Sequence, residues 1–308
     1  MSTLRRHLDD YLVLRRRLGF KLERAGRLLG QFVDFCDTEG IEVVTVEVAL
    51  SWAISPPGCS PMWGAHRLCV ARGFLRYLHA LDPRTGVPSA SLLPSTPSRA
   101  TPYLYSSDQV VALMRAARGI HSTLRAASME AVIGLLACTG MRIGETLALD
   151  RADVDLRQGV AVVRTAKFDK TREVPLHPTT TAALAAYARR RDHLAPTASS
   201  PAFFLSAAGT RILYCNFHLG FHELVRQAGI EVRSPSCRPR PHDLRHTFAV
   251  ATLVRWQREG ADVGTKLPVL STYLGHVDPA ATYWYLSGSP EVLSVAAGRL
   301  EATYEARS

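Results

Sequence analysis

At 308 residues and 47% hydrophobic content, the chain has room for one large or two ordinary domains and a core that needs no staples. No apolar run approaches the length of a membrane span, and the charged opening "MSTLRRHLDDYLVLRRRLGF" has no cleavable signal pattern, so we expect a cytoplasmic protein with no membrane partner. The net charge of +10 and pI near 9.6 point to a polyanionic partner, most often nucleic acid. Lysine occurs four times (Lys21, Lys167, Lys170, Lys266), so 33 of the 37 basic residues are arginine. That bias suits bidentate phosphate contacts, although a GC-rich genome would produce it too.

The first part of the chain reads as helical. "TLRRHLDDYLVLRRRLGF" and "LERAGRLLGQFVDFCDTEG" carry apolar residues at three- and four-residue spacing and end near glycine. "TVEVALSWA" follows, with Thr45 as its cap, and then "MWGAHRLCVARGFLRYLHAL". Together they predict a small helical bundle over residues 1–86. Residues 87–101, within the Pro/Ser/Thr-rich "DPRTGVPSASLLPSTPSRATPYL", read as a linker. A second domain, 102–308, opens with the helices "SSDQVVALMRAARG" and "TLRAASMEAVIGLLACTG". It continues with a β-hairpin, "VAVVRT" and "REVPL" around the turn "AKFDKT", and returns to helices. The expected fold class is mainly α with a small antiparallel β-sheet. Six cysteines (Cys36, Cys59, Cys69, Cys138, Cys215, Cys237) form no C-x-x-C pair, so we expect reduced thiols, several of them core fillers, and no metal site.

Four places in the second domain put a cation or a proton carrier in an awkward position. Arg142 sits between two glycines in the small, apolar run "ACTGMRIGETLAL". Lys167 stands at the hairpin tip, with Lys170 and Arg172 close behind. In "PRPHDLRHTFAVATL", His242 and Arg245 are three apart and share a helix face. In "LSTYLGHVDPAATYWYL", His276 follows Gly275, with Tyr283 and Tyr285 beyond. Each has an ordinary explanation taken singly. Arg142 could pair with Glu145, the lysines could solvate a hairpin, His246 could be a surface residue, and the tyrosines could be core aromatics.

Their order is more telling. "TGMRIGETLAL", a hairpin lysine before "REVPL", "HDLRH", "LGH" and a tyrosine nine residues past that histidine resemble the tyrosine recombinase (phage integrase) family. The resemblance covers the second domain, about two-thirds of the chain. The first domain fits the family's core-binding, DNA-binding domain more loosely. The resemblance implies that Arg142 and Arg245 clamp the scissile phosphate and that Lys167 is the hairpin lysine. It also makes His242 and His276 the two histidines, Tyr285 the nucleophile and Glu145 a supporting acidic residue.

The implied chemistry is cutting and rejoining of DNA through a 3′-phosphotyrosyl ester, with a 5′ hydroxyl leaving. Tyr285 would attack and Lys167 would protonate the leaving oxygen. Two guanidiniums and two imidazoles would carry the charge that metals carry elsewhere, so neither metal, ATP nor another cofactor is expected. His242 and His276 would either assist proton movement at the tyrosine or bind a non-bridging oxygen. Residues two apart on a helix point about 200° apart, so Tyr283 and Tyr285 cannot both face the phosphate, and the family spacing selects Tyr285. Gly140 and Gly144 would let the backbone turn and DNA approach.

The implied partners are double-stranded DNA and further copies of the chain, a dimer on one site and a tetramer in the synapse. Ser289 and Pro290 read as the start of a tail helix with an apolar stripe of Leu293, Ala296, Ala297, Leu300 and Tyr304. It would dock either on its own domain or on a neighbouring protomer. Because the chain opens directly on the bundle, no separate arm-binding domain is expected, which favours a simple recombinase or one from a mobile genetic element. A type IB topoisomerase-like enzyme and a catalytically idle DNA-binding regulator are the alternatives.

Overall fold

The computed structural model describes residues 2–94, 101–164, 171–276, 278 and 280–288. The chain divides into two compact units, Met1–Arg99 and Ala100–Ser308.

The first unit holds α1 (Thr3–Arg17), α2 (Glu23–Thr38), α3 (Val46–Ile54) and α4 (Pro61–Leu81). Side-chain oxygens of Ser2, Thr45 and Ser60 accept backbone N–H groups in the first turns of α1, α3 and α4, and Pro61 takes the first position of α4. The apolar stripes converge on Leu8, Leu29, Phe32, Trp52, Phe74 and Leu75, all nearly fully buried. Arg15, Arg16 and Arg17 close α1, where cations favour the carbonyl end of the dipole.

The second unit begins with α5 (Ser107–Arg118), started by a Ser106–Gln109 capping box, and α6 (Thr123–Thr139). Val132, Ile133, Leu135 and Leu136 of α6 are essentially without solvent exposure, and its buried Ser128 is satisfied by the Tyr187 hydroxyl at 2.9 Å. α6 is thus surrounded by its neighbours, and its apolar residues spread around its circumference rather than along one stripe.

After α7 (Ile143–Ala148) comes an antiparallel sheet of β1 (Val154–Asp155), β2 (Val160–Arg164) and β3 (Thr171–Pro175), in that order. The hairpin is where the sequence predicts it. The extra strand β1 is two residues long, too short to leave an alternation to read. The register sets Ala161 opposite Val174 and Val163 opposite Arg172. Ala161, Val163 and Val174 are buried, so period-2 alternation turns Arg172 to the same inner face.

The unit ends with α8 (Pro178–Leu194), α9 (Tyr214–Gln227), α10 (Asp243–Arg258), α11 (Val263–Leu274) and α12 (Ala280–Gly288). Cys36 and Cys237 are buried, the other four cysteines are not, and all six are free thiols. Among the described residues no helix is long and apolar enough to cross a membrane.

Candidate active site

The site begins where α6 stops. Gly140 caps that helix with φ +62°, and a Cβ there would lie 2.6 Å from the Phe248 ring. Only glycine fits both demands. The turn delivers Arg142 to the start of α7. The Arg142 backbone N–H donates to Glu145 (3.1 Å), Nη1 donates to Glu145 Oε1 (2.7 Å), and Nη2 donates to the Gly275 carbonyl (2.8 Å). Arg142 therefore has a partner in the resting protein, the ordinary explanation that the sequence leaves open, while 37% of its side chain remains accessible. Gly144, by contrast, is exposed, with nothing within 4 Å of a Cβ built there, so the free protein has no steric need for glycine at that position.

Glu145 serves two cations. Arg172 reaches it from β3 with Nη2 at 2.6 Å from Oε2 and Nη1 at 3.1 Å from Oε1, while its Nε donates to the Tyr273 carbonyl at 3.2 Å. Burial pushes the Glu145 carboxyl upward, but hydrogen bonds from Arg172 and Arg142 outweigh this and hold it below its usual range. Gly275, at φ +69°, leaves room for this arrangement, since a Cβ there would strike the Arg172 guanidinium at 2.7 Å. The motifs that carry the family resemblance do not mark Arg172 as a site residue. Its signal was a cation on the inward period of a strand, which demands a buried partner.

Arg245 is 2% exposed on α10. It donates from Nη1 to the Gly140 carbonyl and from Nη2 to the Leu274 carbonyl, both at 2.8 Å. Burial and then the nearby Arg142 charge pull it down to about 10, so it stays cationic at neutral pH. Just ahead of α10, Arg240 grips the fully buried Asp243 through Nε and Nη2 (3.0 and 2.8 Å). That pair ties the "PRPHD" segment to the helix start and sets His242 at the helix N-cap.

His242 is exposed on its outer side. Desolvation by the surrounding protein, then the guanidiniums of Arg245, Arg142 and Arg240, push it down to about 4. His276 follows the cap of α11 and places Nδ1 2.6 Å from the Thr282 hydroxyl. Burial, then Arg245, Arg142 and His242, push it down to about 4 as well. Both rings are neutral near pH 7, so each offers one N–H and one lone pair.

Tyr285, on α12, is 2% exposed. Its hydroxyl lies 3.0 Å from His246 Nδ1, and its ring stacks on His276 with centroids 6.4 Å apart. Tyr283 is 52% exposed, on the outer side as the helical angle requires. His246 is half-buried against the Tyr285 hydroxyl, not a bare surface residue. The structure thus gathers Arg142, Glu145, Arg245, His276 and Tyr285 with His242 alongside. Lys167 and Lys170, and the tail from Ser289 and Pro290 onward, lie outside the described residues. Among the described residues no three His, Cys, Asp or Glu side chains come together where a metal ion could be held.

Such a cluster of cations, neutral imidazoles and a tyrosine hydroxyl can bind a phosphodiester and present it to an oxygen nucleophile. Comparison with known proteins agrees. Residues 104–291 match the phage integrase family. y4rB of Sinorhizobium fredii, described as an integrase/recombinase, is 44% identical over 314 residues, spanning 100% of both chains. The tyrosine recombinase XerD of Caulobacter vibrioides is 32% identical over 241 residues, 77% of this chain and 74% of its own. Among solved structures, the Tn1549 transposon integrase in complex with transposon right end DNA aligns over 98% of this chain and 99% of its own. Its TM-score is 0.65 at 17% identity, a likeness of fold. This chain belongs to the phage integrase family of tyrosine recombinases.

Proposed function

We propose that the chain is a site-specific DNA recombinase that cuts and rejoins duplex DNA through a 3′-phosphotyrosyl ester on Tyr285, without metal or ATP. Arg142 and Arg245 clamp the two non-bridging oxygens of the scissile phosphate. His242 and His276 donate N–H groups to the same oxygens, and Lys167 protonates the 5′ oxygen as it leaves. Glu145 holds Arg142 in place. The observation that carries this reading is the anchoring of both arginines on the end of α11, with the Tyr285 hydroxyl on the helix that follows. Preorganised donors of this kind act where charge grows in the transition state.

The partners in this reading are double-stranded DNA and other copies of the chain, two on one site and four in a synapse, in the cytoplasm. The bundle 1–86 is the core-binding domain and 102–308 the catalytic domain, joined by 87–101. The tail after Ser289 couples neighbouring protomers, so its deletion spares single-site binding but abolishes exchange between two sites. A truncated protein that recombines normally removes the tail from the mechanism.

The decisive experiment uses a nicked suicide duplex carrying the DNA site recovered by sequencing DNA bound to the purified protein. Tyr285→Phe abolishes the covalent protein–DNA adduct with DNA affinity nearly intact, whereas Tyr283→Phe keeps it, and both hold in excess EDTA. Adduct formation by Tyr285→Phe, or a strict Mg²⁺ requirement, overturns the reading.

A further inference from the structure

His246 has no part in the roles above, yet its imidazole lies within hydrogen-bond distance of the Tyr285 hydroxyl. It lies one turn beyond His242 on α10. Its Nδ1 is 3.0 Å from the Tyr285 Oη, and the two rings are 5.5 Å apart. His242 and Trp284 pack edge-on against the imidazole at 4.8 and 5.8 Å, which fixes the ring plane. The tyrosine is nearly excluded from solvent, so bulk water is badly placed to take its proton.

A phenol with an ordinary pKa near 10 must lose that proton as it attacks at neutral pH. Arg142, Arg172 and Arg245 only donate. Both Glu145 oxygens are engaged by guanidiniums. His276 Nδ1 is held by Thr282. We propose that His246, not His242, is the proton acceptor for the nucleophile and positions its hydroxyl through Nδ1. This rests on Tyr285 being the attacking residue.

The step balances simply. The Tyr285 O–H bond breaks and its proton passes to Nδ1, with the other ring nitrogen carrying hydrogen throughout. The phenolic oxygen bonds to phosphorus as the bond from phosphorus to the 5′ oxygen breaks. That oxygen keeps the electron pair and takes a proton from the general acid. Rejoining runs the same path backwards, with the His246 imidazolium returning its proton to the departing tyrosine oxygen. Among the described residues, the charged and titratable groups around this corner are Arg240 and His242 ahead of α10, Arg245 of α10, Tyr285 of α12, His276 after α11, Arg142 and Glu145 at the start of α7 and Arg172 of β3. Burial first, and then the nearby cations, push His242 and His276 down to about 4 and make those two poor bases.

The test is single-turnover adduct formation from pH 5.5 to 9 by the full-length protein on the nicked duplex. The scissile phosphate carries a bridging 5′ sulfur, so that departure needs no acid. The wild type loses rate toward acid pH, because an imidazole that already carries both protons cannot accept another. His246→Ala slows the adduct by about 10²-fold or more, within the range for a lost general base, and its rate climbs with pH to the end of the range. His246→Gln keeps a hydrogen-bonding side chain and serves if the alanine variant does not fold. It retains DNA affinity and far-ultraviolet circular dichroism but not the rate. Wild-type rate and pH profile in either folded variant overturn the proposal while leaving Tyr285 as nucleophile. An adduct from Tyr285→Phe overturns the nucleophile assignment itself.

Discussion

Arg142 and Arg245 come from different elements and stop on consecutive carbonyls, Gly275 and Leu274, each at 2.8 Å. The end of α11 supplies the partial negative charge that lets two guanidiniums share one corner. Their mutual repulsion is visible in Arg245, which burial and then Arg142 pull down to about 10. In the proposed mechanism a phosphate placed between them would relieve that repulsion, and the growing charge of a phosphorane would relieve it further.

Arg142→Lys keeps the charge but loses the fork that spans Glu145 and the Gly275 carbonyl. A lysine serves one direction at a time. We expect adduct formation to fall by about 10² to 10³, or roughly 3–4 kcal/mol, the scale for losing a preorganised donor to transition-state charge. Cleavage near the wild-type rate contradicts the clamp.

Glu145→Ala leaves Arg142 and Arg172 facing each other without their shared carboxylate. We expect a loss of about 3 kcal/mol, the low end for breaking a buried pair because Arg142 is partly solvated. For a unit of this size that lowers Tm by roughly 6–12 °C. Thermal unfolding measures it, and an unchanged Tm shows that the guanidiniums find other partners.

Acid stability follows from the same groups. His242 and His276 are held neutral, near 4 against an ordinary 6.5. The unfolded chain therefore binds protons that the folded one refuses. Their contribution is complete above about pH 6.5 and is lost as pH falls toward 4. Glu145, depressed below its ordinary value, contributes above that value and loses its share at still lower pH. Tm should fall in two stages on acidification, and the double variant His242→Gln, His276→Gln should flatten the first. A first stage that survives in that variant assigns it to other groups.

Gly140→Ala places a side chain at φ +62° and 2.6 Å from the Phe248 ring, on the residue whose carbonyl holds Arg245. Backbone strain alone costs about 1–3 kcal/mol. Both stability and cleavage rate should drop, read by denaturant unfolding and adduct formation. Gly144→Ala, in a helix and with nothing within 4 Å of the added Cβ, should not lower stability.

DNA affinity should fall steeply and log-linearly with salt as phosphate contacts release counterions. A fragment beginning at Thr101 should bind more weakly and with a shallower slope, because it lacks the arginines of α1. Equal affinity and slope for the fragment deny the first unit a role in binding.

The order of "TGMRIGETLAL", "HDLRH", "LGH" and the tyrosine beyond makes the family legible in the sequence, and the candidate site residues follow from that resemblance rather than from periodicity. The hairpin is legible in its two short strand-forming runs around a polar turn. Arg172 and His246 are not. Arg172 matters because the register of β2 and β3 turns it inward and α7 brings Glu145 to meet it. His246 matters because α12 folds back on α10, 39 residues later, and sets a hydroxyl 3.0 Å from its ring. Neither relation has a sequence period. The depressed histidines, too, follow first from burial and then from guanidiniums that converge from separate elements. Charge and burial act through distance in space, and only the packed chain brings residues from α7, α10 and the end of α11 within range of one another.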